Sequence, residues 1–165
     1  MKWWQLTLAL VAGLAAYYLT KLGAYSIERM KSPFKYFTFS EFDSPDEPGS
    51  GKLYMDEAFI YKLGAAREIA GIPFIITSGY RTESHNSAVG GVLGSSHTKG
   101  LAADIAAITE EQKRAIASAA IQVGIRRIGW GRTFIHLDVD PYKTQDIVWN
   151  YGNSAPTFNE LSNLG

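Results

Sequence analysis

The stretch "GSSHTKGLAADI", Gly94–Ile105, sets a histidine and an aspartate seven residues apart among glycines and small side chains. Its second half, continued to "LAADIAA", reads as a strand of small apolar residues in which Asp104 is the exception. A carboxylate buried between Ala103 and Ile105 needs a partner or a metal, because an unpaired buried charge is very costly. Gly100 permits a tight turn between His97 and Asp104, so a loop histidine and a strand aspartate can converge on one point. Taken singly, His97 is an ordinary polar loop residue.

The flanking sequence surrounds this strand with both helical and extended patterns. Asp56 is an N-cap for a helix to Ala70, with Phe59, Leu63, Ala66 and Ala70 at helical spacing and Gly71 as the stop. "IPFIITSGY" reads as a short buried strand closed by Gly79, and Arg81–Lys99 as a long glycine-containing loop of the kind that is functional or mobile. Thr109–Gln112, Thr-Glu-Glu-Gln, is a capping box that starts a helix running to about Val123. "RRIGWGRTFIHLDVD" reads as a hairpin: a strand near Ile128, a turn at Gly131 and a strand from Thr133 to Val139. The Pro, Gly, Ser and Asp cluster Asp43–Gly51 reads as an exposed loop. The fold class expected is therefore α+β, a small mixed or antiparallel sheet with flanking helices.

The last strand carries the other polar anomaly. With a period of two, Phe134, His136, Asp138 and Asp140 share one face while Ile135, Leu137 and Val139 share the core face. A solvated edge strand would look similar, but Phe134 on the polar face suggests a cleft wall. His136 would complete, with His97 and Asp104, three ligands and an open fourth position for water, the pattern of catalytic zinc. The chain contains no cysteine, so any metal must be held by His, Asp or Glu.

A chain of 165 residues suits one domain and a short appendage. Formal net charge is zero, which does not fit a nucleic-acid binder with its clustered Lys and Arg. The division expected is an N-terminal anchor or signal with linker at 1–31, a catalytic domain at 32–152 and a tail at 153–165. "WWQLTLALVAGLAAYYLTKLG" runs from Trp3 without a charge until Lys21, about the length of a short bilayer-crossing helix with aromatic residues at both ends. Residues 3–20 are thus read as an N-terminal hydrophobic helix in the lipid membrane, with a cleavable export signal as the rival. The basic residues that follow would by the positive-inside rule keep that side cytoplasmic.

Ser95-x-His97-x-x-Gly100-x-Ala102-x-Asp104 resembles, at every fixed position, the signature of the M15 zinc peptidases, the D-Ala-D-Ala carboxypeptidases and murein endopeptidases. "TSGYRTESHN", Thr77–Asn86, looks like that family's Ser-Gly-Tyr-Arg segment. "FIHLDVD" resembles the closing strand of its His-x-Asp subfamily, as do "FTFSEF" and Trp149. The resemblance covers residues 36–150. It implies the hedgehog/D-Ala-D-Ala-peptidase-like fold, a zinc cofactor held by His97, Asp104 and His136, and an Arg81 that contacts substrate near the scissile bond. Tyr80, Asn86 and Ser95 are the further candidates for contact with substrate.

In one respect the chain departs from the family. Many members carry an acid three residues before the last ligand, where Thr133 stands here, so Asp138 is expected as general base, or else as third ligand in place of His136. The activity implied is hydrolysis of peptide bonds in peptidoglycan peptides, by a D,D-carboxypeptidase, a D,D-endopeptidase or an L-Ala-D-Glu endopeptidase. Such a substrate puts the domain on the extracytoplasmic side. Thr133 leaves open a noncatalytic zinc- or wall-binding module of the same fold.

Overall fold

Five short strands make one sheet in the computed structural model, which describes residues 35–152 and 154–164. The strands are β1 (Ile76–Ser78), β2 (Ala102–Ala106), β3 (Arg127–Trp130), β4 (Phe134–Asp138) and β5 (Ile147–Asn150), in the order β1-β2-β4-β3-β5. All neighbours are antiparallel except β3 and β5, which are parallel, so the sheet is mixed. The hydrophobic segment expected at 1–31 lies outside the described residues. Among the described residues no helix is long and apolar enough to cross a membrane.

Two helices cover one face of the sheet. Helix α2 (Glu57–Ala70) begins where the Asp56 carboxylate accepts the Phe59 N–H at 2.7 Å and ends at Gly71 in the left-handed region. Helix α4 (Glu110–Gln122) begins with the Thr109/Gln112 capping box. The two pack on each other, and α4 packs on β4. Their buried Phe59, Leu63, Ile116 and Ala120 meet Ala103, Ile105, Ile128, Ile135 and Leu137 of the sheet in one core. Burying a large aliphatic side chain is worth about 1.5–3 kcal/mol. A one-residue slip of β4 would exchange Ile135 and Leu137 for His136 and Asp138 in that core, so the register is fixed and the polar face of β4 must look away from the helices.

The segments expected as loops hold more structure than their composition suggests. Within 81–99 lie α3 (Glu83–Ala88), capped by the Thr82 hydroxyl on the His85 N–H, and a 3₁₀ turn, Ser96–Lys99. In 43–51 the Asp43 carboxylate accepts the N–H groups of Gly49 and Gly51, both at 2.8 Å, and leads into α1 (Ser50–Tyr54). Strand β5 has no counterpart in the sequence reading. The stretch expected as a tail carries α5 (Phe158–Ser162), started by a Thr157/Glu160 capping box, and its Leu161 is fully buried in the core.

Candidate metal centre

The register of the sheet lines up the polar residues on the face away from the helices. Asp104 of β2 pairs with His136 of β4, His136 with Gly129 of β3, and Gly129 with Trp149 of β5. One row along, Asp138 pairs with Arg127. His97 reaches the same place from the 3₁₀ turn, which the Ser95 hydroxyl starts by accepting the His97 N–H at 3.3 Å. The turn ends at Gly100, φ +69°, where a Cβ would lie 1.9 Å from the Tyr54 carbonyl oxygen, so only glycine fits.

Three ligand atoms converge on the sheet face. His97 Nε2 lies 3.1 Å from His136 Nδ1 and 3.3 Å from Asp104 Oδ1, and His136 Nδ1 lies 2.8 Å from Asp104 Oδ1. The outer nitrogen of each ring is committed elsewhere. His97 Nδ1 is 2.6 Å from the Gly79 carbonyl oxygen, which can only accept, so that nitrogen carries the proton. His136 Nε2 is 3.2 Å from Asp138 Oδ2 and donates to that carboxylate in the same way. In the neutral rings this leaves His97 Nε2 and His136 Nδ1 bare, aimed at each other and at a carboxylate oxygen. Three lone pairs at such distances repel unless a cation sits among them, either one proton or a metal ion. A partner fixing each histidine's second nitrogen is the usual support of metal-binding imidazoles.

Electrostatics divide the two rings. Burial lowers the His97 pKa. Burial also opposes charge on His136, but the Asp104 and Asp138 carboxylates outweigh it and raise the pKa. Burial works against the Asp104 carboxylate as well, yet the two histidines hold its pKa well below the usual range, and His136 and Arg127 do the same for Asp138. Arg81 joins the centre through Asp104: its Nη2 donates to Oδ2 at 2.5 Å and its Nε to the Ser78 hydroxyl at 2.7 Å. Asp138 accepts from Arg127 Nε at 2.8 Å and from the Asp140 N–H at 3.0 Å, both on Oδ1.

The centre forms the floor of an open cleft of about 680 Å³. Its lining includes the Val89–Val92 segment with Ser95 and an aromatic group of Phe134, Trp149 and Tyr151. Of the residues singled out in the sequence, His97, Asp104, His136, Asp138, Arg81 and Ser95 come together here. Tyr80 and Asn86 do not line the cleft. The Tyr80 ring packs on Tyr54 at 4.6 Å, and the buried Asn86 donates to the Val92 carbonyl at 3.0 Å, holding the loop from behind. Trp149, part of the likeness to the His-x-Asp subfamily, lies 5.4 Å from the His136 ring. Sequence reasoning missed Arg127: a hairpin turned at Gly131 sets residue 124 opposite Asp138, whereas the observed register centres between Arg132 and Thr133 and sets Arg127 there. It also missed Tyr151, for which the sequence offered no signal once β5 was unseen.

Two imidazoles and a carboxylate with supported outer atoms, buried at the floor of a cleft, form a group that could hold a metal ion. The Peptidase M15 family matches residues 35–138, and the chain belongs to that family of peptidases. No curated protein matches the chain.

Proposed function

We propose that the domain is a zinc peptidase acting on peptide bonds of peptidoglycan stem peptides, with the cleft facing the extracytoplasmic side and residues 3–20 holding the chain at the membrane. The observation that carries the reading is the convergence of three lone pairs from His97, Asp104 and His136 in an open cleft of an M15 chain. A bound zinc supplies a Lewis acid that activates water and polarises a carbonyl. The murein substrate is supported by the likeness of the Ser95–Asp104 motif to the cell-wall members of the family, and the anchor by the uncharged run before Lys21.

The chain's own residues prepare the floor for that chemistry. Gly79 and Asp138 fix the tautomers and orientations of the two rings. Arg127, bonded to Asp138, fixes the carboxylate in turn. Arg81 brings a planar cation to the cleft beside the ligands, suited to a peptide carboxylate or to the charge that grows on the scissile carbonyl. Asp138 has both oxygens engaged, and we assign it the positioning of His136.

That same engagement favours a second reading, a noncatalytic zinc- or wall-binding module, since it leaves no carboxylate in the role of the acid replaced by Thr133. One assay separates the two. The full chain, loaded with zinc, is incubated with purified muropeptides with and without a chelator, and the products are identified by mass. Chelator-sensitive release of stem-peptide fragments is expected, and the fragments name the bond. Intact muropeptides under both conditions would leave the binding module.

A further inference from the structure

We propose that Tyr151 is a catalytic residue, its hydroxyl donating a hydrogen bond to the scissile carbonyl oxygen as that oxygen gains charge; the inference rests on the peptidase reading above. Tyr151 follows β5 and lies beyond the family match, which ends at residue 138. Its backbone N–H donates to the Trp130 carbonyl at 3.0 Å, which pins it at the end of β3. The ring meets Phe134 at 5.3 Å and Trp149 at 6.2 Å.

Gly129 makes room for this arrangement. A Cβ there would stand 2.7 Å from Tyr151 Cε2 and 2.9 Å from His136 Cβ, so the ring edge next to the hydroxyl and a metal ligand flank one hollow that only glycine leaves open. The phenol lines the same cleft as Asp104, Arg81 and Asp138. Its hydroxyl can donate its proton to an acceptor that enters the cleft. Half the residue is exposed, on the side of the cleft.

The rest of the floor leaves this role open. Arg81 is already partly neutralised by Asp104, and Thr133 is an exposed residue before β4 rather than an acid in the cleft. A second, neutral donor in the same cleft as Arg81 would complete the environment of a developing oxyanion. Burial, together with the nearby carboxylates, raises the phenol's pKa and keeps it in the donating form.

The test compares the zinc-loaded full chain with Tyr151→Phe and Tyr151→Ala in three measurements: kcat and KM on a muropeptide, zinc affinity by chelator competition, and calorimetric binding of a phosphinate peptide that mimics the tetrahedral oxyanion. Removing one oxyanion donor lowers kcat by about 10²–10³-fold. Tyr151→Phe is expected to show that loss, with KM and zinc affinity retained and the phosphinate bound about 100-fold more weakly. A Tyr151→Phe enzyme as fast as wild type, with only Tyr151→Ala impaired, would make the ring a wall and overturn the inference. So would loss of zinc in Tyr151→Phe. If the wild type cleaves no peptide, the peptidase reading fails on its own. The phosphinate then decides: weaker binding by Tyr151→Phe upholds the donor, and equal or absent binding by the two proteins removes it.

Discussion

Replacing Asp138 by asparagine tests the support of the metal centre with little change of shape. The carboxylate is almost fully buried and makes three hydrogen bonds, to His136 Nε2 at 3.2 Å, Arg127 Nε at 2.8 Å and the Asp140 N–H at 3.0 Å. Breaking a buried ion pair from one side costs about 3–5 kcal/mol. Here the lower end applies, because Arg127 keeps the Thr144 carbonyl and lies over the Trp149 ring at 5.2 Å, and the amide still offers one acceptor oxygen. A loss of about 3 kcal/mol in a domain of this size lowers Tm by roughly 10 °C.

The metal should be weakened rather than lost. Removing the partner of a metal-bound histidine typically reduces affinity by about 10–100-fold, or about 1.4–2.7 kcal/mol. Competition against a chromophoric chelator measures this directly, with thermal melts of the metal-free protein giving the stability term. Unchanged zinc affinity would show that Asp138 does not hold His136 in place. A loss as complete as in His97→Ala would make Asp138 itself a ligand, and the reasoning from its hydrogen bonds would fail.

Gly100→Ala forces a Cβ onto the Tyr54 carbonyl at a left-handed φ, and should destabilise the domain by more than the ~1–2 kcal/mol of the backbone conformation alone, read from urea unfolding. Zinc at 100 times its Kd should stabilise the folded chain by about 2.7 kcal/mol, and a chelator should reverse this in a thermal melt; a Tm indifferent to the chelator would argue against a metal on the native state. The metal-free protein should have a stability maximum close to the ordinary histidine range. His97, with its folded pKa lowered, favours unfolding as pH falls below its unfolded value; His136, with its folded pKa raised, contributes stability below its unfolded value that is lost as pH rises through the folded one. Zinc replaces the His136 proton and should abolish the alkaline limb, which melts across pH 5–9 with and without metal would reveal.

The parts of the site legible in the sequence are those set by local chemistry. Asp104 was visible because an acid in a strand of alanines has no other business there, and His136 because a period of two separates it from Ile135 and Leu137. Gly100 was visible as a turn, and the structure adds that the Tyr54 carbonyl occupies the place of its side chain. The helix from Asp56 to Gly71 was legible from its caps, which act within a few residues of chain. What was not legible depends on pairing across the sheet or on side chains meeting from distant segments.

Strand β5 shows why. It has four residues, none fully buried, on a sheet edge, and its one partner is β3, some 20 positions earlier in the chain. Ile147, Val148 and Trp149 are strand-forming types, but so short a run does not name its partner, and its place comes from the ladder with β3. That ladder carries Trp149 and Tyr151 to the candidate metal centre, so the wall of the cleft is set by a pairing that local composition does not specify. The candidate ligands can therefore be read from motifs, while the residues that hold and flank them follow from register. Arg127 is the intermediate case: "RRIGW" is legible as a strand of the hairpin, but a turn at Gly131 puts residue 124 opposite Asp138, and only the true register, centred between Arg132 and Thr133, brings Arg127 there.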